Sequence, residues 1–157
     1  MSEFDISPSE RIAFMIDTDG FAVEVVPPQP ELDPPLGAYT YTIGFPDHTG
    51  FPDIVVFGLT PVATRGLLGV VADTLRAGTE IPIGQELVGL LDNGLRAVFA
   101  AVDTDAWGAL FAQAADWYGD ATLTMVQLLY PDRNGFLPYE PGYDRRLRFA
   151  QPVIATF

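Results

Sequence analysis

Leu87-Val88-Gly89-Leu90-Leu91-Asp92-Asn93-Gly94-Leu95-Arg96-Ala97-Val98-Phe99-Ala100-Ala101-Val102 is the stretch whose reading decides the fold class. Two apolar runs, Leu87 to Leu91 and Leu95 to Val102, flank Asp92-Asn93-Gly94. Asn-Gly between apolar runs is the strongest short-range hairpin signal, because both residues accept the positive φ of a turn whose twist suits two antiparallel strands. A hairpin here predicts a sheet that is largely antiparallel.

Working outward toward the N-terminus, Thr60-Pro61 opens a helix that Gly78 closes. Leu67, Leu68, Val71 and Leu75 give it a core face, and Gly66 and Gly69 weaken it unless another backbone packs closely there. Asp53-Ile54-Val55-Val56-Phe57 is a near-continuous apolar run and predicts a strand buried on both faces. Tyr39 to Ile43 is a second strand, ended by Gly44, and residues 45–52 read as a turn-rich loop carrying the lone histidine, His48. Residues 27–38 hold Pro27, Pro28, Pro30, Pro34 and Pro35, a density that blocks ladder hydrogen bonds and predicts an extended surface connector. Phe21 to Val26 alternates as a strand, and residues 7–19 begin with Ser7-Pro8-Ser9-Glu10, a capping box with proline at the first helical position.

On the other side, Asp103 or Thr104 caps a third helix with Trp107, Leu110, Phe111, Ala114, Trp117 and Tyr118 along one stripe and Gly119 at its end. That stripe places Trp107 and Trp117 in the core. Residues 122–130 form the last strand, Pro131 to Gly135 turn the chain, and residues 136–157 are an irregular tail that wraps the domain. The order α-β-β-β-α-β-β-α-β predicts a single α+β domain over residues 1–157: one largely antiparallel sheet with about three helices packed on it, in a simple layered arrangement.

Composition excludes several chemistries. Lysine and cysteine are absent and all eight basic residues are arginine, so Schiff-base catalysis, the P-loop and thiolate or zinc–thiolate sites are out. With one histidine, a histidine-built metal site fails too, so no tightly bound transition metal is expected and no metal ligands are assigned, while an Asp/Glu site for Mg²⁺ or Ca²⁺ stays open. Aligning Gly20 of Asp17-Thr18-Asp19-Gly20 with the invariant glycine of a calcium loop puts Met15 and Val26 at ligand positions, where neither can ligate. The serines are Ser2, Ser7 and Ser9, none of them in a nucleophile context. A net charge of −13 opposes nucleic acid and anionic membranes and suits a basic protein partner. No apolar run approaches the ~20 residues of a membrane helix, the first twenty residues are too acidic for a signal peptide, and the cytoplasm is the expected location.

Candidate ligand-binding residues are Tyr41, Asp53, Gln127, Asp132, Arg133, Tyr139 and Asp144. Gln127 lies in an otherwise apolar strand, where a buried amide needs partners: either the tail backbone or a ligand. Asp132, Arg133 and Asp144, with Glu140 and Arg145, cluster around the last turn. His48 reads as an exposed loop residue.

The chain resembles the bacterial family of domain of unknown function 4262. The resemblance rests on Gly20-Phe21, Tyr41-Thr42-Ile43-Gly44-Phe45, Phe51-Pro52-Asp53 leading to Phe57-Gly58-Leu59, Trp117-Tyr118-Gly119, Gln127, Pro131-Asp132, Gly135-Phe136, Pro138-Tyr139 and Gln151-Pro152. Family members often carry His and Glu where this chain has Phe51 and Asp53, and Trp where it has Tyr139; His48 lies three positions from the first of these. The resemblance implies an α+β domain in which these motifs lie close together, and no particular reaction or cofactor. We expect them to converge on one concave site lined by Tyr41, Asp53, Asp132 and Tyr139. The functional expectation is a non-catalytic protein that binds a basic partner or a small molecule; the alternative is an enzyme or cofactor-dependent protein using the carboxylate, Tyr and Arg groups of the last turn.

Overall fold

Ser7 accepts a hydrogen bond from the Glu10 amide with its side chain, and Gly20 at φ 91° ends the helix, so α1 runs Pro8–Asp19 as its caps dictate. The computed structural model describes residues 6–33, 35–119 and 121–157; Ser2 and Pro34 of the sequence reading lie outside them. After α1 come β1 (Ala22–Val26), β2 (Tyr39–Ile43), a short α2 (Phe45–Thr49), β3 (Asp53–Phe57), α3 (Pro61–Arg76), β4 (Glu86–Leu87) and β5 (Ala97–Ala101). Then follow α4 (Thr104–Trp107), α5 (Ala112–Tyr118) and β6 (Met125–Leu129). The six strands form one sheet in the order β1-β2-β3-β6-β5-β4. Every neighbouring pair is antiparallel except β3 and β6, which run parallel with Asp53 opposite Met125. The fold class is therefore the α+β arrangement that the Asn-Gly signal and strand spacing imply.

Helices cover both faces. On one, Ile12 of α1 and Ala114 of α5 pack with Tyr41, Ile43, Val55 and Phe57. On the other, Leu68, Val71 and Ala72 of α3 pack with Ile54, Val56, Phe99 and Leu128. Two apolar faces explain why β2, β3 and β6 are buried along their whole length. At the β1 edge, Glu24 is buried with Arg11 at 2.6 Å, a close charge contact without hydrogen-bond alignment. An inward-pointing charge of this kind discourages pairing with another chain.

Four expectations need correction. The hairpin turn forms where Asn-Gly stands, with φ 63° at Asn93 and 67° at Gly94, but only Glu86 and Leu87 reach the ladder, opposite Val98 and Ala97. Residues 88–91 leave it because Gly89 takes φ 100° and Leu90 and Leu91 fold back onto the face covered by α3. Residues 45–52 hold a short helix, bracketed by Gly44 at φ 89° and Gly50 at φ 79°. The third helix is broken by a 3₁₀ turn over Gly108–Phe111, which shifts the stripe. Phe111 and Ala114 stay buried and Trp107 is half-buried, whereas Trp117 is 37% exposed. Neither Gly66 nor Gly69 of α3 admits a close backbone; a Cβ at either would meet open space.

Candidate functional site

Asp53 begins β3 with no exposed surface, which requires its carboxylate to find donors inside the protein. Three converge on it. Thr42 donates its hydroxyl to Oδ1 at 2.7 Å, the Phe45 amide donates to the same oxygen at 3.0 Å, and the Tyr118 hydroxyl donates to Oδ2 at 2.5 Å. The network continues outward. The Gly44 amide donates to the Tyr118 oxygen at 2.8 Å, and the Ile54 amide donates to Thr42 Oγ1 at 3.0 Å. Burial pushes the Asp53 carboxyl up to about 6 against the pull of these three donors, and burial together with the neighbouring carboxylate raises Tyr118 well beyond the usual phenol range. Tyr118 therefore stays a hydroxyl donor at neutral pH.

The network holds the first turn of α2. Phe45 plugs the core with its ring edge-on to Phe21 at 5.0 Å, and Phe51 beyond the helix meets Phe99 edge-on at 5.4 Å. Between these anchors the imidazole of His48 lies over Gly20: a Cβ on Gly20 would sit 2.2 Å from the ring, so the Gly20-Phe21 motif exists to admit it. His48 is half-buried rather than an exposed loop residue, 5.8 Å from the Phe21 ring centre.

His48 lines a cleft of about 450 Å³ between the end of α1, α2, α3 and the start of β1. Its apolar lining is Met15, Phe21, Val23 and Ala72; Asp19, Arg65, Asp73 and Arg76 supply charge. Arg65, Gly69, Ala72, Asp73 and Arg76 recur along one face of α3, and Gly69 leaves room in the middle of the cleft. Among the described residues the ion pairs involve Arg11, Arg96 and Arg146, so the guanidiniums of Arg65 and Arg76 face the cleft without one. The cleft thus joins the chain's single imidazole, two cations and two carboxylates to an apolar floor. Arg65 and Arg76 are not among the candidates named from the sequence; their signal there is the charged stripe of α3 beside its apolar one.

The remaining predicted residues lie elsewhere. Because β3 and β6 run parallel, Asp53 stands at the beginning of both strands while Pro131 and Asp132 follow the end of β6. The five residues of each strand separate the two ends by roughly 13 Å or more. The family motifs therefore do not converge on one site, as expected above, but divide between the ends of the sheet. Tyr41 is buried with its hydroxyl accepting from the Gln113 amide at 3.3 Å and its ring edge-on to Phe111.

In the middle of β6, opposite Val55, Gln127 is fully buried and joined to the tail. Its Nε2 donates to the Pro152 carbonyl at 2.6 Å, and its Oε1 accepts from the Ile154 and Ala155 amides at 2.9 and 3.1 Å. Gln151 mirrors it, accepting from the Tyr130 amide and donating to the Tyr130 carbonyl and the Tyr143 hydroxyl. Asp132 Oδ1 accepts from the Asn134 and Phe136 amides at 2.9 and 3.0 Å, and Oδ2 accepts from the Asp144 amide at 2.9 Å. Burial pushes this carboxyl up, but the three amides outweigh it and hold it below the ordinary carboxylate range. Asp144 caps a 3₁₀ turn at Arg145–Leu147 and pairs with Arg146, while Arg133 stays exposed. Tyr139 is exposed, donates to Glu86 Oε1 at 2.9 Å and packs edge-on against Phe157. Glu86 and Glu140 both hold Arg96.

Among the described residues, no group of three or more potential metal ligands comes together and no helix is long and apolar enough to cross a membrane. The family model described as domain of unknown function (DUF4262) matches residues 15–144, and the chain belongs to that family. No curated protein and no solved structure was found to match it.

Proposed function

For this member of the family, we propose a non-catalytic small-molecule-binding protein of the bacterial cytoplasm, taking a ligand with an anionic group and an apolar body into the His48 cleft. The observation that carries this reading is Arg65 and Arg76 facing an apolar-floored cleft beside the only histidine, in a chain of net charge −13. An otherwise acidic surface repels anions, and here Arg65 and Arg76 offset Asp19 and Asp73 of the same lining, so these two guanidiniums beside His48 are the groups that would hold one. The carboxylates of the last turn, by contrast, are occupied by backbone amides and arginines, which weighs against the alternative of an enzyme working there. The acidic surface also suits a basic protein partner, whose capture would weaken with salt.

The test is an amide-resolved NMR titration with benzoate, phenyl phosphate and uncharged benzamide. The anionic probes should shift Gly20, His48 and Gly69, benzamide should not, and the Arg65→Ala, Arg76→Ala double variant should bind at least about tenfold more weakly with its melting temperature unchanged. Shifts that avoid the cleft, or undiminished binding by the double variant, would overturn the proposal.

A further inference from the structure

Charge in the cleft divides by element. α3 contributes Arg65, Asp73 and Arg76, a net positive wall, with Gly69 leaving room between Arg65 and Asp73. The end of α1 contributes Asp19, and the last turn of that helix, which also carries Asp17, holds no basic residue. A helix C-terminus is itself the negative end of the macrodipole, so carboxylates there add to its field instead of cancelling it. Asp19 adjoins Gly20, over which the His48 ring lies, so this acidic pole stands beside the imidazole. Among the described residues no ion pair joins Asp19 or Asp73 to Arg65 or Arg76, although Asp73 and Arg76 are one turn apart on the same face of α3.

Resting on the binding site proposed above, we infer that its ligand is a zwitterion, an α-amino acid with an apolar side chain, whose carboxylate meets the guanidiniums of α3 and whose ammonium meets Asp19. A simple anion drawn to Arg65 and Arg76 would meet the uncompensated charge of Asp19 in the same concavity, and a simple cation would meet two guanidiniums. A molecule carrying both signs turns each repulsion into an attraction. Its neutral sum also escapes the repulsion that a chain of net charge −13 exerts on anions. Analogues of the same shape with one charge are thereby disfavoured, which is how a site gains specificity. The apolar floor of Met15, Phe21, Val23 and Ala72 takes the side chain, and the volume of about 450 Å³ lies within the range of small-molecule sites. Asp19 is exposed, so its pairing with an ammonium has the modest strength of a surface ion pair and weakens with salt.

Three probes of one shape test it on the whole protein at neutral pH and low salt: phenylalanine, hydrocinnamate, which lacks the ammonium, and phenethylamine, which lacks the carboxylate. Titrations followed at the Gly20, His48 and Gly69 amides should show phenylalanine binding roughly fivefold more tightly than hydrocinnamate, and more tightly than phenethylamine. High salt should shrink that advantage. Asp19→Asn should erase it by weakening phenylalanine while leaving hydrocinnamate as tight or tighter. That variant should fold as the wild type does, because Asp19 is exposed and a carboxylate at a helix C-terminus does not stabilise the helix. The inference is overturned if hydrocinnamate or phenethylamine binds the cleft as tightly as phenylalanine, or if Asp19→Asn keeps the advantage. Hydrocinnamate that shifts the cleft amides and matches phenylalanine sinks the zwitterion alone and leaves the anion-binding proposal standing; three probes that all leave those amides unmoved sink both.

Discussion

The two ends of the sheet each bury one aspartate with three donors, yet the two carboxyls move in opposite directions. Asp53 receives a backbone amide and two hydroxyls and is raised; Asp132 receives three backbone amides and is lowered. The difference lies in what surrounds them. Asp53 sits at the root of a strand between two apolar layers, where desolvation dominates. Asp132 closes a surface turn on itself, and amides at residues 134, 136 and 144 compensate its burial. One end is thus built as a fastening for the tail, and the other carries a charge that the fold tolerates with difficulty beside an open cleft.

The comparison is most severely tested at Gln127. Gln127→Leu keeps the volume but strands the Pro152 carbonyl and the Ile154 and Ala155 amides, so unfolding in urea should show a loss of about 3–5 kcal/mol, or the tail should come away and become protease-sensitive. An unchanged stability would mean that the tail is not fastened there. At the Asp53 end, the wild type should lose up to about 3 kcal/mol of stability as the pH rises from 4 to 7, because Asp53 binds its proton more tightly when folded. Asp53→Asn should flatten that profile; a profile that still falls would assign the effect to other groups. The smallest effect distinguishes turn-forming from ligand-binding character at Asp132. Asp132→Ala should lower the melting temperature by roughly 5 °C, and Asp132→Asn by less since it keeps the acceptor shared by two amides, with neither altering probe binding in the His48 cleft.

Much of the fold was legible because its signals are local. Ser7, Thr60 and Asp103 cap the helices they precede, and the apolar run of β3 announces burial on both faces. Asn93-Gly94 marks the turn, since its left-handed angles are a property of those two residues. What the turn signal does not carry is how far the flanking residues stay paired. Leu90 and Leu91 leave the ladder because the surface beside α3 offers them burial, and that surface is assembled from distant segments.

The candidate site divides along the same line. From its sequence this chain determined the absence of lysine, cysteine and a second histidine, and with it which chemistries are closed; it also determined the motif residues themselves, whose types follow from turns, caps and strands. Only the tertiary structure decided which of those motifs meet. Thr42, Gly44, Phe45, Asp53 and Tyr118 are joined because β2 and β3 pair antiparallel and α5 ends above their junction. Asp132 is held at the other end because β6 runs parallel to β3. Parallel or antiparallel register at that single pairing is set by packing across the whole sheet, between strands 67 or more residues apart in the chain, and no local pattern of side chains encodes it.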